Sequence, residues 1–177
     1  MADTFFPPFV FRDKGLGHDF TATWYSRHLQ TMLEPSFHVL SQDSKLHCYR
    51  FLWLRTFHQP ITVRLDIGPN NAGLLTAKIT DGQGGYESGR LIFNDSSDLT
   101  QNQVDTFLTA LQELDFWNLP TLENANYMVI DGSQWILEGV KNGRYHLLDR
   151  SSPSEGPFTK ANLMLTQFAD ITVQNLY

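Results

Sequence analysis

Ser133-Gln134-Trp135-Ile136-Leu137-Glu138-Gly139-Val140-Lys141-Asn142-Gly143-Arg144-Tyr145-His146-Leu147-Leu148-Asp149-Arg150 is the stretch that decides the fold. Asn142-Gly143 favours a two-residue type I′ turn, because both residues tolerate positive φ. That turn fixes the register of the flanking strands. Lys141 faces Arg144, Gly139 faces His146, Leu137 faces Leu148, and Trp135 faces Arg150. Side chains alternate across a sheet. One face therefore takes Trp135, Leu137, His146, Leu148 and Arg150. The other takes Gln134, Ile136, Glu138, Val140, Tyr145, Leu147 and Asp149.

Upstream of the hairpin the pattern is mostly that of strands. Leu46 to Phe57 carries aromatics and Leu at both parities, which suits a central strand. Ile61, Val63, Leu65 and Ile67 alternate with Thr62, Arg64 and Asp66, the pattern of a strand buried on one side. Leu75, Ala77 and Ile79 alternate in the same way. Asp81-Gly82-Gln83-Gly84-Gly85 then turns the chain into a strand ending near Phe93. A helix is expected over about Asp19 to Glu34, with Asp19 as its cap and Pro35 as its stop. A second begins at Thr100, where Thr100 and Gln103 form a capping box inside a Leu99–Val104 hydrophobic staple. Its apolar stripe is Val104, Phe107, Leu108, Leu111 and Leu114. A third helix spans about Phe158 to Asp170, with Pro157 at its entry. Short links between strands imply antiparallel pairing. The expected class is α+β: one antiparallel sheet with about three helices packed on one face, a single domain over residues 1–177. Residues 1–18, rich in Phe and Pro, are expected to form an arm laid on that body.

The chain has 177 residues, 41% hydrophobic and 18% charged, so it can bury a sizeable core without a metal or disulfide. Cys48 is its one cysteine, which excludes an internal disulfide and a four-cysteine zinc site. The apolar runs are too short for a transmembrane helix. The opening Met1-Ala2-Asp3-Thr4-Phe5-Phe6 lacks the basic and long apolar regions of a signal peptide, so a cytoplasmic location is expected. Net charge is −6, which argues against nucleic acid as the main partner. The charges are segregated. No Lys or Arg occurs from Leu91 to Val140, a stretch that includes Asp95, Asp98, Asp105, Glu113, Asp115, Glu123, Asp131 and Glu138. Lys45, Arg50, Arg55 and Arg64 lie together upstream. Such segregation suits an acidic face that steers a basic protein partner.

Chemistry is sparse. On the hairpin, Glu138, Tyr145 and Asp149 share a face and offer an acid pair, although polar residues in a patterned strand commonly just face water. His146 points to the opposite face, away from Glu138, and has Arg150 beside it. Trp135 opposite Arg150 suits a cation–π contact, read either as core or as a hot spot for a partner. The six histidines include no H-E-x-x-H motif, so no metal is expected. Cys48 lies inside a strand among bulky residues, a poor setting for a nucleophile. No G-x-S-x-G elbow occurs. Gly82-Gln83-Gly84-Gly85 opens no helix, and Gly15-Leu16-Gly17 lacks a preceding strand and a third glycine, so both read as backbone turns rather than phosphate loops. No cofactor is expected.

The run Asp131-Gly132-Ser133-Gln134-Trp135-Ile136-Leu137-Glu138-Gly139, with Gly143-Arg144-Tyr145-His146 and Asp149-Arg150-Ser151-Ser152-Pro153, resembles a hairpin block in uncharacterised bacterial proteins of similar length. Tyr49-Arg50-Phe51-Leu52-Trp53-Leu54, Gly82 to Gly89, and Phe116-Trp117-Asn118-Leu119-Pro120 extend the likeness over most of the chain. The resemblance implies a bacterial single-domain protein and transfers no catalytic residue. The reading that follows is a non-enzymatic cytosolic protein that binds another protein, in the manner of an immunity protein neutralising a basic toxin. Its candidate contacts are Asp105, Glu113, Asp115, Glu123, Trp135 and Arg150. The alternatives are an enzyme using Glu138, Tyr145 and Asp149, or His146 with Arg150, and a subunit that covers its aromatics by forming a homodimer.

Overall fold

A computed structural model describes residues 5–11, 18–123 and 131–173. Its elements in chain order are α1 (His18–Thr31), α2 (Phe37–Leu40), β1 (His47–Arg55), β2 (Ile61–Ile67), a short 3-10 turn (Pro69–Asn71), β3 (Gly73–Thr80), β4 (Leu91–Leu99), α3 (Gln101–Glu113), β5 (Ser133–Lys141), β6 (Arg144–Ser151) and α4 (Pro157–Phe168). The strands form one six-stranded antiparallel sheet in the order β4-β3-β2-β1-β5-β6. The class is the expected α+β.

The hairpin register is the expected one, with Lys141 opposite Arg144, Gly139 opposite His146, Leu137 opposite Leu148 and Trp135 opposite Arg150. Asn142 and Gly143 have φ of 52° and 75°, as a type I′ turn requires. β1 lies centrally, between β2 and β5. Its odd residues Tyr49, Phe51 and Trp53 join a core with Val104, Phe107 and Leu111 of α3 and with Phe158, Ala161 and Leu165 of α4. Its even residues Leu52 and Leu54 join a second core with Tyr25, Leu29 and Met32 of α1 and with Phe5, Phe6 and Phe11 of the arm. The helices thus cover both faces of the sheet, not one as expected. A strand that is apolar at both parities needs cover on both sides, and α1 with the arm supplies the second layer.

Three helix and strand ends differ from expectation. α1 stops at Thr31, before Pro35, because Leu33 adopts φ 53° and closes a Schellman turn. In it the Leu33 N–H donates to Gln30 O and the Glu34 N–H to Leu29 O, both at 2.9 Å. That turn carries Glu34 in over the sheet. Asp19 lies inside α1 rather than at its cap. The strand expected to end near Phe93 continues to Leu99 and delivers the staple: Leu99 and Val104 are both buried across the Thr100–Gln103 capping box. Between β3 and β4, Gly84 approaches β1 so closely that a Cβ would sit 2.6 Å from Arg55 O. Its carbonyl accepts the Trp24 indole N–H at 2.8 Å, so this glycine turn is a docking point for α1. Gly15-Leu16-Gly17 lies outside the described residues.

Candidate functional site

On the α1 side of the hairpin, antiparallel pairing sets Arg50 of β1 directly opposite Glu138 of β5. Both are fully buried. Arg50 Nε and Nη2 donate to Glu138 Oε2 at 2.8 and 2.5 Å, and the Tyr145 hydroxyl donates to Glu138 Oε1 at 2.8 Å. Arg50 Nη1 donates to Pro35 O at 2.7 Å and pairs with Glu34 Oε2 at 3.4 Å. The Phe37 ring lies 4.3 Å from its guanidinium carbon. Glu34 also receives Arg64 at 3.2 Å and Lys78 at 2.7 Å, and Arg64 reaches Asp66 at 2.9 Å. A charged ladder therefore crosses the sheet from β3 to β5, with Arg50, Arg64 and Lys78 balanced by Glu34, Glu138 and Asp66, and the neutral Tyr145 hydroxyl of β6 caps its end. Burial alone would lower the Arg50 pKa, but the Glu138 and Glu34 carboxylates outweigh it and raise it. Burial, and then the Glu138 charge, push the Tyr145 hydroxyl well above its ordinary range, so it stays a donor.

Asp149 lies on the same face and accepts the Tyr25 hydroxyl at 3.1 Å. Burial, and then Asp149, raise the Tyr25 pKa. The hairpin face holding Glu138, Tyr145 and Asp149 therefore does not look onto water. It is packed under α1, α2 and the arm, and Glu138 spends its oxygens on Arg50 and Tyr145. General acid–base work needs a group within reach of substrate, and neither buried carboxylate is open to one.

On the opposite face His146 Nε2 is 3.0 Å from Leu119 O, and its ring packs against Phe116 and Trp117 at 5.3 and 6.3 Å. Burial lowers its pKa. Arg150 turns elsewhere: it donates to Pro120 O and Thr121 O at 3.0 and 2.7 Å and pairs with Glu123 at 3.2 Å. The expected Trp135–Arg150 stacking does not form. Arg150 lies over Phe158 at 5.7 Å, drawn by carbonyls that need a donor. Trp135 is fully buried, 4.7 Å from Trp53 and 5.0 Å from Phe51, and its Nε1 donates to Ser133 Oγ. Both residues serve the core rather than a partner surface. Cys48 is buried too, and desolvation pushes its thiol up to about 12.

The acidic candidates divide. Glu113 pairs with Lys160 at 3.2 Å, and Glu123 is taken by Arg150. Asp105 and Asp115 are exposed on and just after α3, holding only the amides of Asn71 and Asn118. Asp95 and Asp98 are exposed on β4. Among the described residues no cation pairs with these four aspartates. Sequence reasoning missed two features. The ladder had a visible signal, since Arg50 stands in the middle of an apolar central strand and so needs a buried counter-ion. An open groove of about 350 Å³, lined by Lys45, His47, Asp66, Leu74 and Asp98 among others, had none, because it joins the ends of four strands. Among the described residues no cluster of three or more His, Cys, Asp or Glu is placed to hold a metal, and no helix is long and apolar enough to cross a membrane.

No protein-family model and no curated protein matches this chain.

Proposed function

We propose that this is a non-catalytic binding protein that meets a basic protein through the carboxylates of β4 and α3. The observation that carries the reading is the set of exposed aspartates, Asp95, Asp98, Asp105 and Asp115, which pair with no cation among the described residues, while Arg50, Arg64 and Lys78 are neutralised by Glu34, Glu138 and Asp66. Exposed like charge of this kind steers an oppositely charged partner and is screened by salt. The specific form of the reading is an immunity-type role in a bacterial cytosol, with this surface occluding the basic face of a toxin. The test is affinity capture from a native bacterial lysate at low and high salt, using the natural chain and a variant carrying Asp95→Lys and Asp98→Lys. A partner that is lost both at high salt and in the variant supports the reading. Recovery of no partner, or of one indifferent to salt and to the substitutions, overturns it.

A further inference from the structure

We infer that the outer edge of β4 accepts an extended, basic segment of another protein as a seventh strand. This rests on the binding reading above and specifies its geometry.

The two edges of the sheet are treated differently. β6 is covered by the chain itself around Asp149: the Asp149 N–H donates to Thr121 O at 2.8 Å, Leu122 bridges to Asp149 in parallel, and Arg150 holds the carbonyls of Pro120 and Thr121. Among the described residues β4 pairs only with β3, and nothing covers its other side. Residues 92–98 are all exposed, with Ile92 at 56% and Phe93 at 39%. An unpaired edge of this length presents a row of free N–H and C=O groups, and strand addition is a common way to use one.

Charge selects the occupant. Lys and Pro, which blunt edges, are missing from Leu91–Leu99, whose charged residues are Asp95 and Asp98. A second copy of β4 laid antiparallel about Asp95 would set that carboxylate against its own image. A basic strand meets attraction at the same place. Ile92 is a bulge, because Ile79 pairs with Phe93 while Thr80 pairs with Leu91. The regular register is therefore Phe93–Leu99, about 24 Å of strand at roughly 3.4 Å per residue. Asn94, Ser96 and Asp98 share the α1 face through their pairing with Lys78, Thr76 and Leu74, and Phe93 and Asp95 point the other way. An antiparallel occupant thus places one basic residue opposite Asp98, a second three residues later opposite Asp95, and an apolar residue two further on opposite Phe93.

The probe is the capped peptide Lys-Thr-Thr-Lys-Thr-Val, followed by amide chemical shifts and hydrogen exchange of the full chain. Controls are the same peptide with both Lys replaced by Glu, and two versions N-methylated at alternate residues, one at each parity. The expected result is shifts and protection confined to β4. Affinity should fall about tenfold or more for the Glu peptide, for the Asp95→Lys/Asp98→Lys variant and for one methylated version only, since only one parity of amides faces β4. If both methylated versions bind like the parent, strand addition is wrong while the acidic-surface reading stands. If the parent shifts nothing at millimolar concentration, or shifts residues away from β4, strand addition is again overturned. The salt-dependent capture then decides the wider reading by itself.

Discussion

Replacing Glu138 by Gln should destabilise the protein severely while barely changing its shape. Two of the four polar contacts of the Arg50 guanidinium go to Glu138 Oε2, at 2.8 and 2.5 Å. Losing two charge-assisted bonds at about 1.5–3 kcal/mol each gives about 3–6 kcal/mol. Breaking a buried ion pair on one side costs about 3–5 kcal/mol by independent reckoning, because the surviving charge stays buried. Gln keeps one acceptor for Arg50, so about 3 kcal/mol is expected, or a fall of roughly 6–12 °C in Tm for a chain of this size. Urea unfolding should show a lower midpoint with an unchanged slope. The double variant Arg50→Met with Glu138→Leu removes both charges and should recover at least about 2 kcal/mol relative to the sum of its single variants. A loss under about 1 kcal/mol for Glu138→Gln, or strict additivity in the double variant, would refute the account of the ladder as one coupled unit.

Gly139→Ala should cost about 1–3 kcal/mol, because the new Cβ would lie 2.8 Å from carbons of Phe116 and Tyr49; thermal unfolding measures it. Thr100→Ala should cost about 1 kcal/mol by deleting the hydroxyl that accepts the Gln103 N–H, read as a midpoint shift in urea. His28 is fully buried, and desolvation pushes its pKa down to about 4. The unfolded chain therefore binds the His28 proton near pH 6.5 and the folded chain only near 4. Its stabilising share is whole above pH 6.5 and is lost as pH falls toward 4, about 2 kcal/mol of it between pH 7 and 5. Unfolding free energies across that window should flatten in His28→Gln; an unchanged slope would count against this assignment.

The parts of the fold that were legible in the sequence are those fixed by local chemistry. Asn142-Gly143 determines a turn, and the turn determines a register. Thr100 and Gln103 announce a helix start whatever that helix packs against. β1 shows its central place through apolar residues at both parities, and that pattern demands cover on both faces without saying which segment supplies the second layer. What stayed hidden depends on contacts between distant segments. Glu138 and Asp149 sit on a patterned hairpin and read as water-facing because nothing local places α1 and the Phe5–Phe11 arm above them. Arg150 pairs in register with Trp135, but the carbonyls of Pro120 and Thr121 compete better for its donors. The acidic run from Leu91 to Val140 is visible in composition, yet only the fold separates Glu138, neutralised internally, from Asp95 and Asp98, which meet solvent.

Glu34 ends the turn after α1 and is held by cations from three successive strands, at 3.4, 3.2 and 2.7 Å. That helix cannot peel off the sheet by degrees, because lifting its end strips three positive charges of one shared counter-ion at once. The amides near Leu29 and Met32 should therefore exchange with solvent only when the whole molecule opens, making the attachment of the first layer an all-or-nothing event.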